Sequence, residues 1–126
     1  MAKRILIVDD SSTLRASVDY SLSKAGYEVI QATNGLEALD VLGSCEAKED
    51  EIGMIITDIN MPLMDGISFI KKVKETQFKF VPILVMTTES EERKKLEGKE
   101  AGASGWLVKP FKPEQLLKIV SKFVRS

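Results

Sequence analysis

Histidine is absent from the 126-residue sequence, and cysteine occurs only once, as Cys45. Without histidine the chain cannot form a Ser-His-Asp or Cys-His catalytic site, or a histidine-ligated zinc site. A single cysteine cannot close a disulfide within the chain, which favours a reducing compartment. No apolar run approaches the roughly 18 residues of a membrane span, and the first residues lack the apolar core of a signal peptide. These absences predict a soluble cytoplasmic protein with no membrane partner, whose chemistry uses carboxylates, hydroxyls or amines.

Excess charge of either sign is also lacking, because 18 basic residues face 19 acidic ones, for a net charge of −1. This balance argues against nucleic-acid binding driven by bulk charge and against a disordered tail. The length, with 44% hydrophobic residues, suffices for one domain with its own core. We therefore expect a single domain over residues 1–126, a monomer, and no nucleic-acid partner.

Short apolar runs alternate five times with stretches of helical spacing. Three of the runs are continuous and rich in branched side chains, as expected of strands that are covered on both faces. The helical stretches follow start signals such as Ser12, Asn34-Gly35 and Pro113. This alternation predicts an α/β fold, a doubly wound parallel sheet between two layers of helices. We expect the strand order 2-1-3-4-5, which is one of the common orders of doubly wound sheets. The five runs are residues 5–8, 29–30, 54–56, 83–86 and 106–108.

Two segments fit this pattern less well. Residues 43–53 are polar and predict a solvated helix extension or a loop. Residues 89–100 should form the fourth helix, but Leu96 is their only strong apolar anchor. Gly98 lies inside this helix and costs about 1 kcal/mol relative to alanine. We expect a weakly held helix at the low-stability end of the fold.

Reactive side chains fall at the ends of four predicted strands. Asp9 and Asp10 end the first strand, Asp58 the third, Thr87 the fourth and Lys109 the fifth. In an open parallel sheet, ligands bind outside the carboxyl ends of the strands, where the strand order reverses. Neighbouring strands are only about 4.8 Å apart. We therefore expect all five side chains to line one crevice.

Three carboxylates in one crevice repel each other unless a cation lies between them. A donor set made only of oxygen selects a hard ion, Mg²⁺ or Mn²⁺. The ammonium of Lys109 leaves two negative charges uncompensated, which a divalent ion would neutralise. Metal, ammonium and hydroxyl together suit the spread charge of a phosphoryl-transfer transition state. An aspartate in such a site can be the nucleophile and form an aspartyl phosphate.

Four sequence elements together resemble the receiver domain of two-component response regulators. The resemblance spans essentially the whole chain and implies a flavodoxin-like three-layer sandwich. The elements are Asp9-Asp10, Asp58 with the residues 59–66 that follow it, Thr87, and Lys109-Pro110-Phe111.

The resemblance implies a metal site and a phosphoryl acceptor. Asp9, Asp10 and Asp58 would hold Mg²⁺, for which Mn²⁺ can substitute, together with the backbone carbonyl of Asn60. The same Asp58 would accept the phosphoryl group from a phosphohistidine of a partner kinase.

The resemblance also implies roles for the fourth and fifth strands. Thr87 and Lys109 would contact the phosphoryl oxygens, and the Lys109–Pro110 peptide bond would be cis. Such a chain promotes only its own phosphorylation and autodephosphorylation, so we expect a phosphoacceptor switch and no enzyme.

The partners implied are those of chemotaxis, because residues 101–111, Asn60 and Glu89 are similar to chemotaxis-type receivers. We expect a chemotaxis-type histidine kinase, a flagellar motor switch protein and a phosphatase. The switch surface would comprise the fourth helix, the Trp106 strand and the last helix, near Lys112. Receivers usually carry tyrosine or phenylalanine at the position of Trp106.

Other functions remain open at the level of sequence. A phosphorelay intermediate or a phosphate sink is the nearest alternative. An aspartyl-phosphate phosphatase of the haloacid dehalogenase kind would need an aspartate where this chain has Asn60. A flavodoxin-like cofactor binder would have to place a phosphate beside Asp9 and Asp10, which would repel it.

Overall fold

The computed structural model describes residues 4–44, 51–88 and 90–124, in which β-strands and α-helices alternate. Cys45 and Glu89 lie outside the described residues. The strands are β1 (Arg4–Val8), β2 (Glu28–Ala32), β3 (Ile52–Thr57), β4 (Ile83–Thr87) and β5 (Gly105–Val108). The helices are α1 (Ser12–Lys24), α2 (Gly35–Gly43), α3 (Gly66–Val73), α4 (Glu92–Ala101) and α5 (Pro113–Phe123).

The five strands form one parallel sheet in the order β2-β1-β3-β4-β5, which confirms the predicted fold and strand order. Every residue of β3 and β4 is buried. This burial explains why these strands are continuous apolar runs and not alternating patterns, since helices cover both faces of the sheet.

The core consists of two apolar clusters, one on each face of the sheet. Successive strand residues point to opposite faces. Leu6 and Val8 therefore pack with residues of α2 and α3, whereas Ile5 and Ile7 pack with residues of α1 and α5. Among the helices that the structure describes, none is both long enough and apolar enough to cross a membrane.

The helix starts carry the expected capping chemistry, with one shift in position. Pro113 is the first residue of α5, as predicted, and Asn34 caps α2 by accepting from the Glu37 N–H. Helix α1 is capped by Ser11, one residue before the predicted Ser12, and the Ser11 Oγ accepts from Leu14 at 3.2 Å. Both serines are competent caps, so the sequence alone does not fix which one is used.

Helix α4 differs most from its prediction. It begins at Glu92 and not at residue 89, and Leu96, the predicted anchor, is 55% exposed. The buried residue of α4 is Gly98. A β-carbon at this position would lie 2.8 Å from Cζ3 of Trp106, so the indole occupies the space that a side chain would need.

The prediction for residues 43–53 is wrong at its far end. Ile52 and Gly53 are buried residues of β3, because its pairing with β1 extends to Arg4 opposite Ile52. Residues 45–50, to which the rest of this prediction applies, lie outside the described residues.

Candidate functional site

Three aspartates converge at the carboxyl edge of the sheet, where the strand order reverses. Asp9 and Asp10 follow β1, and Asp58 follows the neighbouring β3. Their carboxylates each offer an oxygen that lies within 4.8 Å of the others. Asp9 is 1% exposed and Asp58 is 7% exposed, whereas Asp10 is exposed. The predicted acid cluster is therefore present, with one member facing solvent.

The ammonium of Lys109 bridges the two buried aspartates. Its Nζ lies 2.8 Å from Oδ2 of Asp9 and 3.0 Å from Oδ2 of Asp58. Burial alone would lower the pKa of Lys109, but hydrogen bonds and attraction from these two carboxylates outweigh burial and raise the pKa above 10.5. The lysine therefore carries a full positive charge in the crevice at neutral pH.

Backbone N–H groups hold the other oxygen of each buried carboxylate. Oδ1 of Asp9 accepts from the N–H of Ser11 at 2.8 Å. Oδ1 of Asp58 accepts from Ile59 at 2.7 Å and from Asn60 at 3.3 Å. Each buried carboxylate thus faces the main chain with one oxygen and Lys109 with the other, which fixes its orientation.

The main chain around Asp58 is restrained by a close approach of Gly66 and by hydrogen bonds to its carbonyls. A β-carbon on Gly66 would lie 2.1 Å from the carbonyl oxygen of Asp58, and the Gly66 N–H donates to the Ile59 carbonyl at 2.9 Å. The buried hydroxyl of Thr57 donates to the same Asp58 carbonyl at 2.8 Å. Thr57 could not be identified from the sequence, because a hydroxyl that bonds to a backbone carbonyl leaves no pattern beyond one polar residue in an apolar strand.

Thr87 and Lys109 lie side by side at the ends of β4 and β5. The Lys109 N–H donates to the Thr87 carbonyl at 2.7 Å, and Thr87 is buried. The Lys109–Pro110 peptide bond is cis, as the resemblance implied. These two residues are therefore placed beside the acid cluster.

The remaining predicted site residues are less closely tied to the cluster. Asn60 is exposed, with its N–H directed at Asp58, while Lys112 is exposed just before α5 and its N–H donates to Gln115 Oε1 at 2.8 Å. Trp106 is half-buried and packs against the core on the side of α2 and α3. The structure does not place Lys112 or Trp106 among the acids.

An apolar groove of about 400 Å³ opens beside Lys109, between α1 and α5. The residues that line it include Leu14, Val18, Thr88, Pro110, Phe111 and Leu116. Lys109 therefore borders both the acid cluster and this groove.

The Gly98→Ala variant is expected to displace the indole of Trp106 toward solvent, since the new methyl group would overlap the ring. The chain has one tryptophan, so its emission should shift to longer wavelength and acrylamide should quench it more strongly. Stability should change by less than about 1 kcal/mol, because the better helix propensity of alanine offsets the clash.

The matched control is Glu100→Ala, an exposed change on the same helix, which should leave the emission unchanged. Identical quenching of the Gly98 variant and the wild type would show that the ring does not depend on the glycine.

The charges of the site call for a cation. Three carboxylates face one bridging ammonium, so the three aspartates and Lys109 together carry a net charge of about −2. The donors are all carboxylate oxygens, a set that suits a hard divalent ion. The cluster therefore fits a divalent metal site.

The fold and the site define the class: a doubly wound α/β domain with a carboxylate-lined pocket at its switch point. The model of the response regulator receiver domain family matches residues 5–121, and the chain belongs to this family. It is 41% identical to chemotaxis protein CheY1 of Helicobacter pylori, over 90% of each chain. It is 37% identical to a CheY homolog of Campylobacter jejuni, over 90% of this chain and 85% of that one.

A solved structure agrees with these relatives. Chemotaxis protein CheY4 of Vibrio cholerae superposes with a TM-score of 0.89 at 46% identity, covering 98% of this chain and all of that one. The family membership predicted from the motifs is thus confirmed by sequence and by fold.

Proposed function

We propose that the chain is a phosphoacceptor switch in which Asp58 takes a phosphoryl group with the help of Mg²⁺. The observation that carries this proposal is the Lys109 ammonium bound to both Asp9 and Asp58 in a crevice that still holds excess negative charge. A purely structural ion pair would need one acid for one base. The surplus acids instead suit a cation and an incoming phosphoryl group.

The transfer would use the side chains already in place. A carboxylate oxygen of Asp58 forms the new P–O bond as the P–N bond of a donor phosphohistidine breaks, and the electron pair of that bond returns to the imidazole nitrogen. Lys109 and the hydroxyl of Thr87 would stabilise the charge on the phosphoryl oxygens. The backbone N–H groups at Oδ1 keep the carboxylate of Asp58 in one orientation for attack.

The metal ligands we propose are the carboxylates of Asp9, Asp10 and Asp58, with the backbone carbonyl of Asn60. Bound Mg²⁺, or Mn²⁺ in its place, would neutralise the excess charge of the acids and of the phosphoryl oxygens. In its absence Lys109 holds the two buried acids together.

The family and the CheY relatives make the chain a response regulator receiver of the chemotaxis type. We propose a chemotaxis-type histidine kinase as donor, a flagellar motor switch protein as reader and a phosphatase that resets the switch. The cytoplasm, where ATP charges such kinases, is the compartment we expect. The chain would then promote only its own phosphorylation and dephosphorylation, and its output would be a changed affinity for the reader.

The proposal is tested by incubating the protein with acetyl phosphate and following its intact mass. With Mg²⁺ we expect one added phosphoryl group, and with EDTA none. Mass spectrometry after reduction with borohydride, which converts an aspartyl phosphate to homoserine, should place the change at Asp58. A protein that stays unmodified at saturating Mg²⁺ and acetyl phosphate would contradict the proposed function.

The Asp10→Asn variant should bind Mg²⁺ at least about fivefold more weakly, because one charge at about 4 Å contributes about 1–4 kcal/mol. The metal-free protein should become up to about 1 kcal/mol more stable, since Asp10 repels the two other acids. Calorimetric titration with Mg²⁺ and urea unfolding in EDTA measure the two effects.

The control is Asp40→Asn, which changes an exposed acid of α2 and should affect neither quantity. A metal-free Asp10 variant that is less stable than the wild type would argue against repulsion within the cluster.

A further inference from the structure

We propose that Arg15 is a positioning residue for the metal site, because its guanidinium fixes the peptide that joins Asp9 to Asp10. This inference rests on the proposed function. Arg15 lies in the first turn of α1, and Nη1 donates to the backbone carbonyl of Asp9 at 2.6 Å.

The carbonyl of Asp9 needs a donor because it lies just beyond the end of the sheet. The Asp9 N–H still donates to the carbonyl of Ala32 in β2, at 3.2 Å. The pairing of β1 with β2 ends at Val8 opposite Ala32, so β2 supplies no further donor. Arg15 therefore provides the hydrogen bond that the strand ladder no longer provides.

A chain of hydrogen bonds holds the guanidinium in place. Nε of Arg15 donates to Gln31 Oε1 at 3.0 Å, and Gln31 Nε2 donates to Asp19 Oδ2 at 2.7 Å. Ser23 donates to the other oxygen of Asp19 at 2.7 Å. The planar guanidinium is thus held by Gln31 through one nitrogen while another nitrogen binds the Asp9 carbonyl.

Asp10 is the residue whose position depends on the hydrogen bond from Arg15 to the Asp9 carbonyl. The carboxylates of Asp9 and Asp58 are each held by a backbone N–H and by Lys109. Within the part of the chain that the structure describes, no hydrogen bond holds the carboxylate of Asp10, so its placement depends on where the backbone puts its Cα. Because the peptide unit is planar, fixing the Asp9 carbonyl also fixes the Cα of Asp10.

Positioning and charge predict opposite effects of removing Arg15. As a nearby cation, the guanidinium would repel Mg²⁺, and its loss would tighten binding. As a positioning group, it holds Asp10 where the metal needs it, and its loss would weaken binding. Groups that orient metal ligands typically contribute about 10–100-fold in affinity.

The experiment compares Arg15→Met, which removes the charge and the hydrogen bonds, with Arg15→Lys, which keeps the charge but lacks the planar fork. We expect Arg15→Met to bind Mg²⁺ about tenfold more weakly in calorimetric titration, and Arg15→Lys to lie between it and the wild type. Gln31→Leu, which leaves the arginine without its anchor, should also weaken binding. Arg93→Met, at an exposed position of α4, is the matched control and should bind like the wild type.

A second readout separates positioning from a general loss of structure. In the Arg15 variants, labelling by acetyl phosphate should reach half of its maximal rate at a higher Mg²⁺ concentration than in the wild type. At saturating Mg²⁺ the maximal rate should equal that of the wild type. If Arg15→Met failed to fold, Gln31→Leu would carry the same test.

The proposal would be overturned if Arg15→Met bound Mg²⁺ as tightly as the wild type or more tightly. It would also be overturned if the maximal labelling rate fell while the Mg²⁺ concentration for half-maximal rate stayed unchanged. In either case a wild type that binds Mg²⁺ and takes one phosphoryl group would leave the proposed function standing. A wild type that binds no Mg²⁺ would contradict both the proposed function and the role of Arg15.

Discussion

The Asp58→Asn variant is expected to take up no phosphoryl group from acetyl phosphate at any Mg²⁺ concentration, whereas the wild type gains one. An amide oxygen is a much weaker nucleophile than a carboxylate and would not form a stable acyl phosphate. The variant also removes one of the three charges that would attract the metal. Both effects act in the same direction, so we expect the labelling to be lost entirely.

The variant should nevertheless fold, which makes the loss interpretable. The asparagine carbonyl can still accept the N–H groups of Ile59 and Asn60, and Lys109 keeps its bond to Asp9. Removing one charge also reduces the repulsion within the cluster. Circular dichroism and urea unfolding in EDTA should therefore show a folded protein of near wild-type stability.

The matched control is Asp65→Asn, seven residues further along. Asp65 caps α3 through Ser68, and asparagine is an equally good cap. This control should be labelled like the wild type. One phosphoryl group on the Asp58 variant would contradict the assignment, and its location at Asp9 or Asp10 would identify the acceptor instead.

The sequence was sufficient to predict the sheet and the acid cluster because both depend on strong, local signals. Buried parallel strands require continuous apolar runs, and the chain places a reactive residue directly after β1, β3 and β5 and at the end of β4. The topology then brings these ends together without further information. Asp9, Asp58 and Lys109 lie in contact for this reason.

The fourth helix was predicted poorly because its buried contact residue is a glycine, Gly98, and not an apolar side chain. Leu96 is a large apolar residue, as expected of an anchor, but it is 55% exposed. Gly98 is instead buried against the ring of Trp106. A glycine in a helical stretch indicates lost stability in the sequence alone. That it makes room for an aromatic ring on another element depends on the tertiary structure.

Arg15 and Thr57 were missed for a different reason. Both donate to backbone carbonyls, of Asp9 and Asp58 respectively. Every residue has such a carbonyl, so the sequence carries no sign of which ones lack a partner. Only the point at which each strand ladder ends shows where a side-chain donor is needed.

The Lys109→Met variant is expected to lose about 2–3 kcal/mol of unfolding free energy in EDTA. Removing one partner of a buried ion pair typically costs about 3–5 kcal/mol, and we expect less here because the Lys109 side chain is 16% exposed. Asp9 and Asp58 would remain buried and charged, each without the ammonium that now lies within 3.0 Å. Methionine keeps most of the packing of the lysine stem, so the loss reports mainly on charge.

The difference between the wild type and this variant should depend on pH in the alkaline range. The folded state raises the pKa of Lys109 above 10.5, so its stabilising contribution is complete below that pH. The contribution is lost as the pH rises through the raised pKa of the folded state. Urea unfolding of both proteins from pH 7 upward should show a constant difference that shrinks only above about pH 10.5.

Mg²⁺ should reverse much of the defect, because a divalent cation would replace the missing ammonium between the same carboxylates. The metal should therefore stabilise Lys109→Met more than it stabilises the wild type. Lys112→Met, an exposed lysine three residues further along, should change stability by less than about 0.5 kcal/mol and respond to Mg²⁺ like the wild type. If the two lysine variants behaved alike in EDTA and in Mg²⁺, the ammonium of Lys109 would not be what holds Asp9 and Asp58 together, and the charge argument for the metal site would lose its basis.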